Sequence, residues 1–274
     1  MRIKIIVFSG TGNTWWAGER LKEELSLHHE VSMVSVERVK EEDMTDIREA
    51  DLLVLGYPVY GSDMPKIMED FIRLLPVASP TRDVAVFCTQ MMFSGNGASF
   101  CAGILNDKGY VLIHAFHVNM PNNIPNLTSY SRERMGRIQE KAMGTIRRAA
   151  MNIHLGKGRK QGHTPWGSFL GLLQRPFYRR LFSRKRNDYL SIDPEKCIGC
   201  MRCVQICPTG NIVISEGKAR MNGDCIWCTR CVNFCPRDAV LYLNRGITSK
   251  QYRGPEGFDP ALVAYPKNLM DYID

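Results

Sequence analysis

The sequence predicts an α/β chain in which a doubly wound, five-stranded parallel sheet is followed by a small α+β domain. Two observations carry this. Near-continuous apolar runs of strand length alternate with helix-like segments over residues 1–150, and eight of the ten cysteines crowd between Cys197 and Cys235. Parallel sheets covered by helices on both faces read as such unbroken runs, because neither face meets water. A chain of 274 residues is long enough for one large or two small domains.

The strands come in order as RIKIIVF (2–8), VSMVSV (31–36), DLLVLGY (51–57), DVAVFCT (83–89) and YVLIHAFHV (110–118). Between and after them stand TWWAGERLKEELSLHH, with helical spacing at Ala17, Leu21 and Leu25, then PKIMEDFIRLL, and finally SRERMGRIQEKAMGTIRRAAM. Open sheets of this kind bind ligands beyond the carboxyl ends of their strands. The composition divides the chain into 1–152, a basic connector at 153–190, a cysteine-rich domain at 191–245 and an extension at 246–274.

Charge excludes some classes. Residues 1–150 carry a net −1, residues 151–190 a net +8 and residues 191–274 a net +1. An excess confined to one short segment does not describe a nucleic-acid-binding chain, so no nucleic-acid partner is expected. No apolar run reaches the roughly 20 residues that span a bilayer, and the N-terminus has no signal-peptide pattern, so the expected location is cytoplasmic.

The cysteines form an internal repeat. CIGCMRCVQICP and CIWCTRCVNFCP both have the form C-x2-C-x2-C-x3-C-P. Two structural zincs are the alternative, but zinc knuckles pair CxxC units across longer loops. The spacing is that of the bacterial ferredoxin run, in which three thiolates on a tight loop reach three irons and the fourth cysteine caps the other cluster. On this reading Cys197, Cys200, Cys203 and Cys235 hold one cluster, and Cys225, Cys228, Cys231 and Cys207 hold the second. Residues 191–245 thus resemble a two-[4Fe-4S] ferredoxin.

After the first strand comes SGTGNT (9–14), a phosphate-loop pattern with several readings. An ATP-binding loop needs a lysine that does not follow Gly12, and the dinucleotide fingerprint needs a third glycine where Trp15 stands. Hydroxyl, amide and backbone N–H groups at a helix start suit a single dianionic phosphate. The pattern [ST]-x-T-G-x-T resembles the flavodoxin family. That resemblance implies the strand order 2-1-3-4-5 and a grip on the FMN phosphate by Ser9, Thr11, Gly12, Asn13 and Thr14. It also implies that two loops flank the flavin ring. GYPVYGSDMPKIM offers Tyr57 or Tyr60 for stacking, with Pro58, and Gly61 for close backbone approach. TQMMFSGNGASF offers Thr89, Gln90, Met91, Met92, Phe93 and Gly95. The plainer reading has these side chains only packing the domain.

Trp15 and Trp16 are read as packing, Cys88 and Cys101 as buried small hydrophobes, and His114 and His117 as structural. The connector, with nine Lys or Arg and no acid over 153–187, suits an anionic membrane surface or an acidic redox partner. The competing expectation is a brace in which Trp166, Phe169, Leu173, Phe177 and Leu181 pack inward and the arginines face water. The tail is expected to be an extended strap packed on a neighbouring segment.

As a whole the chain resembles flavodoxin–ferredoxin fusion proteins. The resemblance implies an electron-transfer protein that passes electrons between two [4Fe-4S] clusters and FMN, and on to a redox partner protein or small-molecule acceptor. The alternative is a flavin-dependent reductase or oxidase of a small organic molecule or quinone, fed by the clusters. No residue stands out as catalytic, so the sequence does not decide whether the chain is an enzyme. A homodimer is compatible with either role.

Overall fold

The computed structural model describes residues 1–127, 129–161, 190–246 and 250–265, together with 165, 166, 169, 171–173, 175, 176 and 270. Phe177, Leu181 and most of the basic residues of the connector lie outside the described residues. The chain divides into two compact units. The first holds Met1–Ser9, Asn13–Pro121 and the described residues of 131–176. The second holds Gly10–Gly12, Asn122–Tyr130 and the described residues from 190 onward.

In the first unit β1 (Arg2–Val7), β2 (Glu30–Ser35), β3 (Leu52–Pro58), β4 (Arg82–Gln90) and β5 (Tyr110–Asn119) form one sheet. The order is β2-β1-β3-β4-β5, as expected, and all pairings are parallel. The apolar runs are buried because helices cover both faces. Ile5, Val54 and Ala85 in the central strands have no exposed surface, and burial of side chains the size of Ile5 contributes about 1.5–3 kcal/mol each.

The helices of this unit are α1 (Asn13–Ser26), α2 (Glu41–Glu49), α3 (Lys66–Leu74), α4 (Ala102–Asp107) and α5 (Arg132–His154). Residues Ala142, Ile146, Ala149, Ala150 and Ile153 recur at helical spacing on α5 and pack into the main core with Ala17, Leu21 and Leu25 of α1. Trp15 and Trp16 pack half-buried against the same core. Ser131 caps α5 by accepting from the backbone N–H of Arg134 at 3.1 Å, a contact of the kind that contributes about 1 kcal/mol.

The beginning of the segment read as a linker is ordered structure. Ala115 donates to the Arg159 carbonyl and Gln161 donates to the Ala115 carbonyl, both at 2.8 Å, so residues 158–161 cover the edge of β5. Farther on, the brace expectation is inverted among the described residues. Trp166, Phe169 and Leu173 are 73%, 51% and 59% exposed, while Arg175 is 6% exposed. The guanidinium can be buried because it lies over the Phe100 ring and bonds to oxygen acceptors.

In the second unit, β6 (Leu190–Ile192) pairs with β9 (Val240–Tyr242), and β7 (Ile212–Ser215) pairs with β8 (Lys218–Met221), both antiparallel. Two five-residue helices, α6 (Arg202–Ile206) and α7 (Arg230–Phe234), carry the third cysteine of each repeat. Val204, Ile212, Ala219, Val232 and Val240 form the core between them. The tail behaves as a strap. Gln251 donates to the carbonyls of Val232 (2.9 Å) and Cys235 (2.8 Å), and the Tyr252 N–H donates to Asn233 Oδ1 (2.9 Å). Among the described residues no helix is long and apolar enough to cross a membrane.

Candidate functional site

Each cysteine loop turns through left-handed backbone at two matching places. Gly199 (φ 66°) and Met201 (φ 61°) in the first repeat correspond to Trp227 (φ 62°) and Thr229 (φ 58°) in the second. These turns bring the first two cysteines of each repeat round to the third, which lies in the first turn of the short helix. The fourth cysteine ends that helix and projects to the other repeat's loop. One cavity is lined by Cys197, Cys200, Cys203 and Cys235, and a second by Cys225, Cys228, Cys231 and Cys207. The structure therefore gathers the eight cysteines in two groups of three plus one.

Backbone N–H groups point at the sulfurs. Asn211 donates to Cys207 and Ala239 to Cys235, each at 3.3 Å and each four residues beyond its cysteine. Ala219 donates to Cys197 at 3.4 Å and Trp227 to Cys225 at 3.3 Å. Burial pushes the Cys203 and Cys228 thiols up to about 12, and Cys231 is also raised by burial and by the neighbouring sulfurs. Such sulfurs ionise against a compensating cation, and iron supplies that charge. The apolar linings, the grouped sulfurs and the N–H donors fit two iron–sulfur cubanes.

At the carboxyl edge of the sheet, the Ser9 and Thr14 hydroxyls are buried. Ser9 Oγ accepts from the Trp15 N–H at 3.1 Å, and Thr14 Oγ1 lies 2.7 Å from Thr89 Oγ1. Asn13 Nδ2 donates to the Pro121 carbonyl at 2.8 Å, tying the loop to the end of β5. Within the second unit, Thr11 Oγ1 accepts from Asn123 Nδ2 at 3.0 Å. Gly12, at φ 99°, has no room for a side chain: a Cβ there would come within 2.5 Å of Phe258. Within the first unit, the neutral hydroxyls of Ser9 and Thr14 at the head of the 14-residue helix α1, whose first turn holds no acid, make an anion-favouring donor set that fits a phosphomonoester.

The two flanking loops meet one another. Tyr57 is wholly buried, its hydroxyl donating to the Gly97 carbonyl at 2.7 Å, so it ties the loops together and presents no face at the edge. Tyr60 and Pro58 are half-buried. Residues 60–63 make a tight turn closed by reciprocal backbone bonds of 3.0 and 3.1 Å, with Gly61 (φ 60°) and Ser62 (φ 64°) both left-handed. In the second loop Thr89 is buried, Gln90 donates to the Met92 carbonyl (3.0 Å), and Gly95 (φ 60°) makes the return. Met91, Met92 and Phe93 are 41%, 71% and 56% exposed, an apolar rim beside the turn.

Cys88 and Cys101 have no exposed surface, and burial raises both thiols, Cys101 to about 11, so they are inert apolar fillers. His117 Nε2 accepts from the Ala98 N–H (3.2 Å) and His114 Nδ1 from the Arg159 N–H (3.1 Å), and burial lowers both imidazoles, His117 to about 4. Sequence reasoning passed over three residues here. Asn123 follows the last strand in a loop without a motif. Arg230 occupies the same repeat position as Arg202, a match visible in the aligned cysteine runs. Arg175 gave no signal beyond its charge.

Comparison with known proteins follows this division. A flavodoxin domain model matches residues 4–160, and two 4Fe-4S binding domain models match residues 190–213 and 222–242. Among solved structures, a flavodoxin from the domain Archaea is 18% identical over 56% of this chain and 99% of its own, with a TM-score of 0.41. The two-electron reduced flavodoxin of Megasphaera elsdenii is 22% identical over 52% and 98%, with a TM-score of 0.38. Rubredoxin oxygen:oxidoreductase of Desulfovibrio gigas is 16% identical over 55% and 36%, with a TM-score of 0.39. No curated protein matches the chain.

Proposed function

The chain belongs to the flavodoxin domain family and carries two 4Fe-4S binding domains, and from that premise we propose an intramolecular electron relay with its external port at the first cysteine cavity. It is an electron-transfer flavin and iron–sulfur protein whose cofactors are FMN and two [4Fe-4S] clusters. When bound, the clusters supply single-electron transfer and FMN accepts one or two electrons.

The observation that supports the relay is the pairing of three sulfurs from each repeat with the fourth from the other. Such interlocking holds the two cluster sites at a set separation, because neither loop can shift without dragging the other's fourth ligand. Ser9, Thr11, Gly12, Asn13 and Thr14 bind the FMN phosphate through neutral donors and play no part in electron transfer. Tyr60, Gly61 and the 89–95 loop hold the ring.

The port follows from exposure. Cys200 is exposed and its neighbour Ile198 is 59% exposed, whereas Cys228 and Cys231 are buried. An external redox partner, protein or small molecule, reaches ligand sulfur more readily at the first cavity than at the second, where Cys225 is half-buried. The N–H groups on Cys197, Cys207, Cys225 and Cys235 orient the ligands and hold negative charge on sulfur.

The test is anaerobic reconstitution followed by stopped-flow. The loaded chain should hold about eight irons, as two four-iron clusters require, and one FMN. After a one-electron pulse, electrons should redistribute between clusters and flavin at a rate independent of protein concentration. A concentration-dependent rate would remove the relay, and a chain that binds no FMN would remove the flavin site.

A further inference from the structure

Arg175 lies in the connector, after α5, and its guanidinium is buried among the two loops described above. Nε donates to the Ser62 carbonyl at 2.9 Å, and Nη2 bonds to Asn96 Oδ1. The guanidinium carbon stands 3.7 Å from the centroid of the Phe100 ring. Gly171, one turn earlier, approaches so closely that a Cβ would lie 2.6 Å from Asn96 Oδ1.

The acceptor at Ser62 matters. Ser62 is a non-glycine residue at φ 64°, in the tight turn of residues 60–63. A left-handed side-chain-bearing residue costs about 1–2 kcal/mol and persists only where its surroundings hold it. Arg175 supplies that hold on one side and grips the 94–100 loop with the other arm of its fork. Arginine suits the task because its donors are rigidly coplanar and its face stacks on an aromatic ring. The fork therefore sets the spacing of two loops that approach from different strands.

We propose that Arg175 is a positioning residue of the flavin site: by tying Ser62 to Asn96 it fixes the two ring-flanking loops relative to one another. The connector is then a working part of the flavin domain and not a spacer. This inference rests on the reading that those loops hold the ring.

The experiment uses the full-length chain, stripped of FMN and titrated with FMN by flavin fluorescence, with visible circular dichroism of the bound flavin recorded at saturation. Relative to wild type, Arg175→Ala should weaken FMN at least tenfold and change the visible dichroism, which reports the ring's surroundings. Ethylguanidinium added to that variant should recover part of the affinity. Asn96→Ala, a smaller change that leaves Arg175 in place, should weaken FMN less. The double variant should be no worse than Arg175→Ala alone. Wild-type affinity and dichroism in both single variants would overturn the proposal while leaving the flavin site standing. Wild-type protein that binds no FMN would overturn the flavin reading and this inference together.

Discussion

Residues 197–208 and 225–236 share the same cysteine spacing, a left-handed residue before the short helix, and an arginine just ahead of the third cysteine. Their surroundings differ. In the first repeat Arg202 is partly exposed and pairs with Asp259 at 2.5 Å. In the second, Arg230 has no exposed surface and donates to the carbonyls of Gly10 (2.9 Å) and Ile206 (3.0 Å). Cys200 is exposed where its counterpart Cys228 is buried. Two copies of one ligand motif thus differ in the exposure of their second cysteine, while Cys197 is buried in the first group and Cys225 half-buried in the second.

The largest expected effect tests the crossover between repeats. Cys235→Ser should remove the same spectral component as Cys200→Ser, and Cys207→Ser the same component as Cys228→Ser, each with loss of about half the iron. EPR of the reduced protein and iron quantification decide this. Pairing of Cys235→Ser with Cys228→Ser would break the assignment.

The arginines come next. Arg230→Met leaves two buried carbonyls without their donor and should destabilise the second unit by about 2–4 kcal/mol. Arg202→Met should cost under about 1 kcal/mol, as exposed pairs do. Denaturant titration of the two variants side by side measures the contrast, and equal losses would contradict it.

The first unit offers a pH-dependent counterpart. His117 is held near a pKa of about 4 by burial, against 6.5 for the free side chain. The fold favours the neutral imidazole, so its contribution is complete above pH 6.5 and is lost as pH falls toward 4. The loss approaches roughly 3 kcal/mol. Protonation also removes the acceptor for the Ala98 N–H, in the loop beside Asn96. His117→Gln should flatten this part of the stability–pH curve, and an unchanged slope would count against it.

The smallest effect concerns the matched left-handed positions. Gly199→Ala puts a Cβ within 2.4 Å of the Gly217 carbonyl oxygen at φ 66°, a strain of about 1–3 kcal/mol. The equivalent position already carries Trp227, whose ring packs 6.0 Å from Tyr242. Iron release to a chelator should speed up from the first cluster of Gly199→Ala and stay unchanged from the second.

Legibility in the sequence followed the range of the contacts involved. The strands around Ile5, Val54 and Val86 were plain because burial on both faces leaves an unbroken apolar run. The eight cysteines were plain because a cubane needs ligands at short fixed intervals. The interlocked grouping was readable from the same run, since three thiolates on one tight loop cannot close the fourth corner. The short helices α2 and α4 were not anticipated, having one buried apolar residue each, Ile47 and Leu105, and so little periodicity.

What chain-local chemistry dictates here is the order of strands and helices, the phosphate-loop pattern and the spacing of the sulfur ligands, each written within a few consecutive residues. Packing alone settled the rest. Tyr57 turned inward because Gly97, 40 residues away, offered its carbonyl. Arg175 was drawn under Phe100 while its apolar neighbours faced out. Cys200 and Cys228 differ in exposure although their local sequences match. Contacts between residues so far apart leave no period in the sequence, and burial of one group over another depends on what the folded chain brings alongside it.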